Sequence, residues 1–415
     1  MSHINKKVPK RRFQEFNNTD DWEQRVLGEN AVIKGRLGWK SLKQEEYRQD
    51  GPSMIAGKHI KKGEIDWRKV DHIPIWRYEE SPEIKLENGD VIFSKDGSLG
   101  NPALITNLRE MATINSTMML VRTDNTIDSE FFYQIMTSDI FKKLVYIKVS
   151  GSSIPHLFQS DMKNFQFHSP TVEEQQKIGI FLKQLDNTIA LHQRKLEKVK
   201  ALKTAYLSEM FPAEGETKPK RRFAGFTDDW QEHKLGDLSE IVRGASPRPI
   251  NDMKWFSDNS DVGWLRISDV TEQSGRIIYL QQKLSVAGQM KTRVLREPHL
   301  LLSIAATVGK PVVNYVNTGV HDGFLIFLAP LFDLEYMFQW LEMFKPNWQK
   351  YGQSGSQINL NSELVRNHKI FIPTIKEQQK IGTFFKQLDK TITLHQRKLQ
   401  KLQNIKKAYL NEMFI

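Results

Sequence analysis

The sequence of 415 residues contains no cysteine, so disulfide bonds and thiolate metal sites are excluded. Long apolar runs are also missing, because no stretch approaches the roughly 18 apolar residues that a membrane-spanning helix needs. The first residues are basic but lack the apolar segment of a signal peptide. The expected location is therefore the cytoplasm.

Catalytic motifs are absent as well. The sequence has no GxxxxGK[ST] phosphate loop, no HExxH, no His cluster at metal-ligand spacing and no Asn/Asp-Pro-Pro-aromatic segment typical of adenine methyltransferases. The pairs Asp71-His72 and His321-Asp322 are isolated in the sequence and are interpreted as surface or turn residues. No catalytic residue and no metal ligand is predicted, so the sequence favours a binding protein over an enzyme.

The charge is unbalanced towards the basic side. Lys and Arg number 60 against 49 Asp and Glu, which gives a net charge of +11. Such an excess favours a polyanionic partner, either nucleic acid or an anionic membrane surface, although a basic protein without such a partner is an equal alternative. The proportions of 39% hydrophobic and 26% charged residues are typical of a folded protein, and the length allows two or three domains.

A long segment occurs twice. Residues 171–211 recur as residues 374–414, with about two-thirds of the positions identical. Apolar residues spaced alternately four and three apart predict a coiled-coil face on a helix of about 60 Å in each copy. The residues predicted to pair the helices are Leu182, Leu185, Ile189, His192 and Leu196 in the first copy, and Phe385, Leu388, Ile392, His395 and Leu399 in the second.

The duplication extends beyond the helices, since the segment that begins with RRF near residue 11 returns at 221. We expect a mixed α and β fold (α+β) with two globular domains related by an approximate two-fold axis and separated by a pair of long antiparallel helices. Predicted strands cover 90–93, 165–167, 300–303, 312–315, 325–328 and 369–372, and predicted helices cover 129–144 and 334–344. The predicted domains are a flexible basic tail (1–12), a first globule (13–170), a first helix (171–211), a linker (212–220), a second globule (221–373) and a second helix (374–415).

The antiparallel direction follows from the short linker. A globule of this size has a radius of gyration near 15 Å, so it cannot easily carry the chain back about 60 Å to begin a parallel helix. An antiparallel pair would bring His192 and His395 close together near its middle. The alternative, that the two histidines are ordinary seam residues, stays open.

Several motifs together resemble one family. They are PKRRF-x₂-F-x-DDW-x₄-LG, GDVIFSKDGSLG, SGSSIP with its counterpart SGSQIN, and the EQQKIG…LD.TI.LHQRKL…YL.EMF helix. Over essentially the whole chain, twice, these residues resemble the specificity subunit of type I restriction-modification systems. The second copy departs from the first at SIAATVG, which lacks the basic residue that Lys95 supplies.

The resemblance implies a non-catalytic DNA-reading subunit. Each globule would be a target-recognition domain that reads one half of a bipartite, asymmetric DNA site, and the helices would set the gap. Two modification subunits, which carry S-adenosylmethionine and methylate adenine at N6, would dock on the chain. Motor-nuclease subunits, which use ATP and Mg, would complete the restriction complex. Two alternatives stay open: a coiled-coil scaffold that assembles partners without reading DNA, and a single-chain enzyme that both cuts and methylates, against which the missing motifs argue.

Candidate DNA-contacting residues occur at matching places in both copies, where Lys, Arg, His and small polar side chains can reach phosphates or base edges. Each single basic residue has the alternative of a solvated surface charge. The candidates are Lys58, His59, Lys61, Lys95, Ser98, Ser150, Ser152, Ser153 and His156 in the first globule, and Arg243, Arg248, Arg266, Ser268, Thr307, Ser354, Ser356, Gln357 and Asn359 in the second. Candidate partner-binding residues on the polar faces of the helices are Gln193, Arg194, Gln396 and Arg397.

Overall fold

The computed structural model describes residues 7–36, 42–150, 155–213, 215–305, 307–348, 350 and 360–415. These residues form two compact units. Unit 1 holds the described residues up to Gln193 together with Arg397–Ile415, and unit 2 holds those from Arg194 to Gln396. Each unit therefore contains one half of each long helix.

Unit 1 combines short strands with helices. Its strands are β1 (Glu23–Val26), β2 (Ala31–Lys34), β3 (Arg48–Ile55), β4 (Ile60–Lys61), β5 (Glu64–Ile65), β6 (Asp71–His72), β7 (Val91–Ser94), β8 (Gly100–Leu104), β9 (Ala112–Ile114), β10 (Met118–Thr123) and β11 (Gln166–Ser169). Its helices are α1 (Leu27–Asn30), α2 (Ile75–Glu79), α3 (Ser129–Thr137), α4 (Asp139–Ser150), α5 (Gln159–Lys163) and the first half of α6 (Val172–Met210).

An antiparallel sheet of order β2-β10-β7-β8 forms the centre of unit 1. All four residues of β7 are buried, as expected for a strand covered on both faces. Phe93 of β7 packs in one core with Phe131, Phe132 and Ile135 of α3. A second sheet has the order β6-β3-β9, in which β3 and β9 run parallel. The short β1 pairs with β11, so the start and the end of the first globule lie together.

Unit 2 repeats this plan with different details. Its strands are β12 (Gln231–Lys234), β13 (Glu240–Arg243), β14 (Gly263–Leu265), β15 (Arg276–Ile277), β16 (Arg293–Leu295), β17 (Leu300–Ser303), β18 (Pro311–Asn314), β19 (Thr318–Val320), β20 (Phe324–Leu328) and β21 (Lys369–Ile372). Its helices are α7 (Leu235–Leu238), α8 (Ile267–Glu272), α9 (Val286–Gln289), α10 (Leu334–Trp348), α11 (Ser362–Asn367) and the first half of α12 (Ile375–Met413). The sheets have the orders β13-β20-β17-β18-β15 and β14-β19-β16, and β14 pairs parallel with β19.

The predicted mixed α and β fold is confirmed. The one predicted helix that differs clearly is 129–144, which the structure divides into α3 and α4 at Ser138. The hydroxyl of Ser138 donates to the carbonyl oxygen of Ile135 at 2.7 Å and accepts from the backbone N–H of Ile140 at 3.2 Å. A single Ser side chain therefore ends one helix and begins the next, which an amphipathic pattern does not reveal.

The repeated EQQ segment begins each long helix with a buried ion pair. Arg12 donates from Nε and Nη2 to the Glu174 carboxylate at 2.7 and 2.6 Å, and Glu174 is fully buried. Arg222 and Glu377 make the same pair in unit 2, at 2.9 and 2.7 Å. Arg12, the last residue of the predicted basic tail, is thus held against the helix by a charge pair.

The next repeated residues attach the helix to its globule. Gln175 Oε1 accepts from the backbone N–H of Asp128 at 2.9 Å, and Gln378 does the same for Asp333. A Cβ on Gly179 would lie 3.0 Å from the backbone nitrogen of Phe131, so this glycine allows α6 to approach the first turn of α3. These contacts explain why the EQQKIG segment occurs in both copies.

The long helices run antiparallel within each unit, as predicted. In unit 1, the rings of Phe181 and Tyr409 are 4.8 Å apart, and Lys406 lies one turn back along α12, with its Nζ 2.6 Å from Asp186. In unit 2, Lys203 Nζ lies 2.6 Å from Asp389. Lys406 and Lys203, which interrupt the apolar seam between the helices, are thus neutralised by aspartates of the opposite helix.

The predicted helix-pairing residues differ in burial but none is fully exposed. His192 lies in unit 1 and His395 lies in unit 2, so their closeness stays a prediction. The buried members are Leu182, His192, Leu196, Phe385 and Leu399, and the half-buried members are Leu185, Ile189, Leu388, Ile392 and His395.

Candidate nucleic-acid interface

Two loops of unit 1 lie side by side. One covers residues 56–63 after β3 and includes the two-residue strand β4, and the other covers residues 95–99 between β7 and β8. Asn101 follows the second loop and donates from Nδ2 to the carbonyl oxygens of Gly57 and Ile60 in the first, at 3.4 and 3.2 Å. Two segments whose contacting residues are 41 and 44 positions apart in the sequence therefore form one surface.

Lys58 and His59 surround the carboxylate of Asp71. Lys58 is an exposed cation with Nζ 2.9 Å from Asp71 Oδ2. His59 is buried, and its Nδ1 accepts from the backbone N–H of Ala56 at 3.0 Å. Burial lowers the pKa of His59 more than Asp71 raises it. His59 is therefore not placed to contact DNA as predicted, because its buried ring holds the loop from inside. Lys58 lies on the exposed side of the same loop.

A second acidic residue, Asp96, joins Lys95 to His156. Lys95 Nζ lies 2.9 Å from Asp96 Oδ2, and His156 Nδ1 hydrogen-bonds to Oδ1 of the same carboxylate. The backbone N–H of Leu157 donates to the carbonyl oxygen of Lys95 at 2.9 Å. Ser98 is exposed in the same loop. Three predicted residues, Lys95, Ser98 and His156, therefore lie in one place.

The other candidates of unit 1 are dispersed or outside the described part of the chain. Lys61 is exposed on β4. Ser150 ends α4, and its hydroxyl donates to the carbonyl oxygen of Tyr146 at 2.8 Å, as is common for Ser in a last helical turn. Ser152 and Ser153 lie outside the described residues.

In unit 2, Asp322 organises the predicted arginines. Arg248 Nη2 lies 2.7 Å from Asp322 Oδ2, and Arg243 donates from Nε to the Asp322 carbonyl oxygen at 2.6 Å. Ser246 donates to Oδ1 at 2.9 Å, and His321 Nδ1 is 3.0 Å from Oδ1. Burial alone would raise the pKa of Asp322, but Ser246, His321 and Arg248 together lower it. The carboxylate is therefore a stable anion paired with the guanidinium of Arg248, while Arg243 binds the backbone carbonyl oxygen of the same residue.

A cleft of about 410 Å³ opens beside this cluster. Arg266 lies on its wall, at the N-cap of α8, and donates to Asp269 from three nitrogens: the backbone nitrogen at 2.8 Å, Nε at 3.3 Å and Nη2 at 3.2 Å. The rings of Trp264 and His321 are 5.6 Å apart. The residues that line the cleft are Ile250, Asn251, Met253, Phe256, Trp264, Arg266, Ile267, Gln282 and His321.

The remaining candidates of unit 2 have separate positions. Ser268 is exposed on α8. Thr307 is half-buried, with its Oγ1 3.2 Å from the hydroxyl of Ser303 at the end of β17, so it packs within its own turn. Ser354, Ser356, Gln357 and Asn359 lie outside the described residues.

The sequence analysis missed the acidic partners of the predicted cations. Asp71, Asp96, Asp269 and Asp322 each lie within about 3.2 Å of a candidate cation. Two of them belong to the pairs Asp71-His72 and His321-Asp322, which the sequence analysis assigned to surface or turn residues. Spacing in the sequence contains no signal that Asp322 meets Arg248, because the two residues are 74 positions apart.

The candidate partner-binding residues lie on the long helices. Arg194, Gln396 and Arg397 are exposed and Gln193 is half-buried. Arg397 also lines a groove of about 510 Å³ along α12. The other residues of this groove are Gln400, Lys401, Asn404, Ile405 and Ala408.

Two further searches concern only the described part of the chain. There, no three His, Asp or Glu side chains converge as a metal site would require. Likewise, no helix of the described ranges combines the length and the apolar character needed to cross a membrane.

Comparison with known proteins gives consistent results. The family model of the type I restriction modification DNA specificity domain matches twice, at residues 19–201 and 227–404. A protein of Methanocaldococcus jannaschii named for a type I restriction enzyme MjaX specificity subunit is 22% identical, over 94% of this chain and 92% of its own length. The type I restriction enzyme MjaVIII specificity subunit of the same organism is 23% identical over 44% of each chain.

Solved structures show the same fold. The crystal structure of the S subunit of a type I restriction-modification system from M. genitalium matches with a TM-score of 0.65 and 15% identity, over 98% of this chain and 99% of that chain. A chain from a study of complex assembly and conformational transition in a type I system matches with a TM-score of 0.51 and 17% identity, over 94% and 97% of the two chains.

Proposed function

The chain belongs to the type I restriction modification DNA specificity family, and we propose that it selects the DNA sequence on which a type I complex acts. Each half of the chain would read one half of a bipartite, asymmetric site. The protein would not be an enzyme itself, since its part in the complex is recognition.

One observation carries this proposal. The two units share the same helix attachment, through Arg12 with Glu174 and Arg222 with Glu377. Their loop surfaces, in contrast, carry different cations: lysines in unit 1 and arginines in unit 2. A repeated support with two different polar surfaces is what an asymmetric bipartite site requires, because symmetric halves would read identical half-sites.

The partners follow from the family. Specificity subunits work with modification and restriction subunits on DNA, and we propose that two adenine-N6 methyltransferase subunits dock on this chain, with motor-nuclease subunits in the restriction complex. Gln193, Arg194, Gln396 and Arg397 are the proposed docking residues. S-adenosylmethionine would belong to the modification subunit, and ATP with Mg to the motor subunit. The complex would act in the cytoplasm, where the DNA is.

Mapping of methylated adenines tests the proposal. The chain is combined with its modification subunit and S-adenosylmethionine, and the N6-methyladenines formed in genomic DNA are located by sequencing. We expect methylation at two short, different half-sites separated by a constant number of unspecified bases. Omission of the chain should abolish the motif. Methylation that has no motif, or a motif that persists without the chain, would contradict the proposal.

A scaffold without DNA reading is the second candidate, favoured by the exposed polar faces of the long helices. It predicts that replacement of loop cations leaves DNA binding unchanged. In the double variant Lys58→Ala, Arg248→Ala, a reader should lose affinity and show a flatter dependence of affinity on salt. Both side chains are largely exposed, so the fold should be preserved.

A further inference from the structure

The guanidinium of Arg266 is held by a buried carboxylate and is less exposed than that of Arg248. Its side chain is 41% exposed, whereas that of Arg248 is 70% exposed. Its partner Asp269 is 7% exposed and accepts from Nε and Nη2 while also accepting from the Arg266 backbone nitrogen. One carboxylate therefore fixes both the backbone and the side chain of Arg266 in one arrangement.

This arrangement leaves the outer edge of the guanidinium available. Of the five N–H donors of an arginine, two are directed at Asp269, through Nε and one hydrogen of Nη2. The hydrogens that remain include one on each terminal nitrogen, and such a pair forms two parallel hydrogen bonds with two adjacent acceptors. Among the base edges of the DNA major groove, guanine presents two adjacent acceptors, O6 and N7.

The cleft beside Arg266 favours such contacts. Its walls include the apolar side chains of Ile250, Phe256 and Trp264, which lower the local dielectric constant and so strengthen a hydrogen bond from a cation. Gln282 and Asn251 lie on the same cleft and supply further polar groups. A phosphate contact alone would need no such apolar surroundings.

The equivalent place in unit 1 has no arginine. Ala56 follows β3 as Arg266 follows β14, and each of these strands pairs parallel with a neighbour. The backbone N–H of Ala56 donates to His59 Nδ1, as that of Arg266 donates to Asp269. The same cap therefore carries an arginine in unit 2 and a methyl group in unit 1, so this feature distinguishes the two units.

We propose that Arg266, held by Asp269 at the cleft wall, is a specificity-determining residue that reads a guanine through O6 and N7 in the half-site of unit 2. The inference rests on the proposed function, because it assumes that unit 2 reads DNA. It adds the base and the residue that recognises it. Asp269 is then a positioning residue that acts through Arg266.

The test uses the full chain with its modification subunits and duplexes that contain the mapped motif. Each guanine of the two half-sites, on either strand, is replaced in turn by 7-deazaguanine, which lacks the N7 acceptor but still pairs with cytosine. We expect one guanine at which this replacement weakens binding of the wild-type complex about five- to 150-fold. In Arg266→Ala the same replacement should have no further effect.

Two further variants separate base reading from charge. Arg248→Ala removes an exposed cation and should weaken binding to both duplexes equally, so the penalty of 7-deazaguanine stays. Asp269→Asn still provides an oxygen for the helix cap but removes the ionic partner, and it should reduce that penalty without abolishing binding. In Arg266→Ala the backbone cap on Asp269 is kept, so a loss of folding is not expected.

Three results would overturn the inference. In the first, every loss of affinity caused by 7-deazaguanine in the wild type persists in Arg266→Ala. In the second, Arg266→Ala weakens binding to the normal and the substituted duplexes equally, as loss of a phosphate contact would. In the third, the mapped motif contains no guanine. Each of these leaves the bipartite motif intact and contradicts only the reading by Arg266. A failure to obtain any bipartite motif would contradict the proposed function, and the inference with it.

Discussion

His59 and Asp269 occupy the same place in the two units but provide different acceptors, an imidazole nitrogen and a carboxylate oxygen. Each accepts a hydrogen bond from the backbone N–H three residues earlier, at 3.0 and 2.8 Å. An acceptor nitrogen of imidazole is lost when it binds a proton, whereas a carboxyl group keeps an acceptor oxygen whether or not it binds a proton. The cap of unit 1 is therefore the one that acid should weaken.

The pKa of His59 is lowered by burial, against the opposing effect of Asp71. Because this pKa is lowered on folding, the unfolded chain binds the proton more readily than the folded chain does. The contribution of neutral His59 to the free energy of unfolding is therefore complete above the ordinary pKa of about 6.5 and decreases as the pH falls below it. We expect hydrogen exchange in loop 56–63, corrected for its intrinsic pH dependence, to become less protected between pH 7.5 and 5.5.

The variant His59→Asn provides the matched control, because its amide oxygen can accept the same hydrogen bond without titrating. Protection of the loop in this variant should not change over the same pH range. An equal acid response in the wild type and in His59→Asn would show that protonation of His59 does not cause it.

At the residue scale, the sequence predicts which cations line the loops but not what holds them. Lys58, Lys95, Arg248 and Arg266 are recognisable from their places in the repeat. Their acidic partners are less accessible to sequence reasoning, because Asp322 reaches Arg248 only when β13 and β20 bring distant segments together. Glu174 is similar, since its carboxylate binds Arg12, which lies 162 positions away.

At the scale of elements, the long helices were predictable because their apolar spacing is regular over many turns. The lysines within the seam were not explained by that spacing. Lys406 meets Asp186, which also accepts from Gln134 at 3.1 Å. Lys203 meets Asp389, which has additional donors in Gln339 at 2.8 Å and Arg276 at 3.2 Å. At each of these two helix crossings, an aspartate of one long helix meets a lysine of the other. If the lysine is removed, Asp389 retains the cation Arg276, whereas Asp186 retains the neutral donor Gln134.

This inequality predicts that Lys406→Met destabilises its crossing more than Lys203→Met does. The first variant leaves Asp186 without a nearby cation, at an expected cost of about 1–3 kcal/mol, whereas Arg276 still neutralises Asp389 in the second. Hydrogen exchange of the peptides around residues 186 and 389 measures the two crossings separately. Equal loss of protection would contradict the prediction.

A double variant tests whether the charge is the cause. Asp186→Leu combined with Lys406→Met replaces the pair by apolar residues that suit a helix seam, and such replacements of partly buried pairs are often neutral. Protection should return towards that of the wild type. If it stays low, the loss in Lys406→Met arises from packing and not from an unpaired carboxylate.

At the scale of the whole molecule, the globule of each unit packs corresponding aromatic side chains against the end of a long helix. Trp22 and Phe131 meet Phe414 at 6.5 and 5.4 Å in unit 1. In unit 2, the ring of Tyr336 lies 5.4 Å from Phe211 and 6.2 Å from Trp230. The chain that connects these contacts differs between the units, but the aromatic groups that anchor each globule match. One globule should therefore fit the helices of the other unit.

We expect a chain in which residues 13–170 replace residues 223–373 to fold and to read two copies of one half-site. Arg222, Glu377 and Gln378 are retained in this chain, so the buried ion pair and the glutamine contact can form again with the grafted globule. Mapping of methylated adenines should show that the half-site of unit 1 is kept and that of unit 2 is replaced by a second copy of it. The reciprocal graft, with residues 223–373 in place of 13–170, should duplicate the other half-site. A graft that folds but changes both half-sites, or neither, would contradict the prediction that each globule recognises its half-site independently. The specificity of the loops that carry Lys58 and Arg266 would then depend on the rest of the chain.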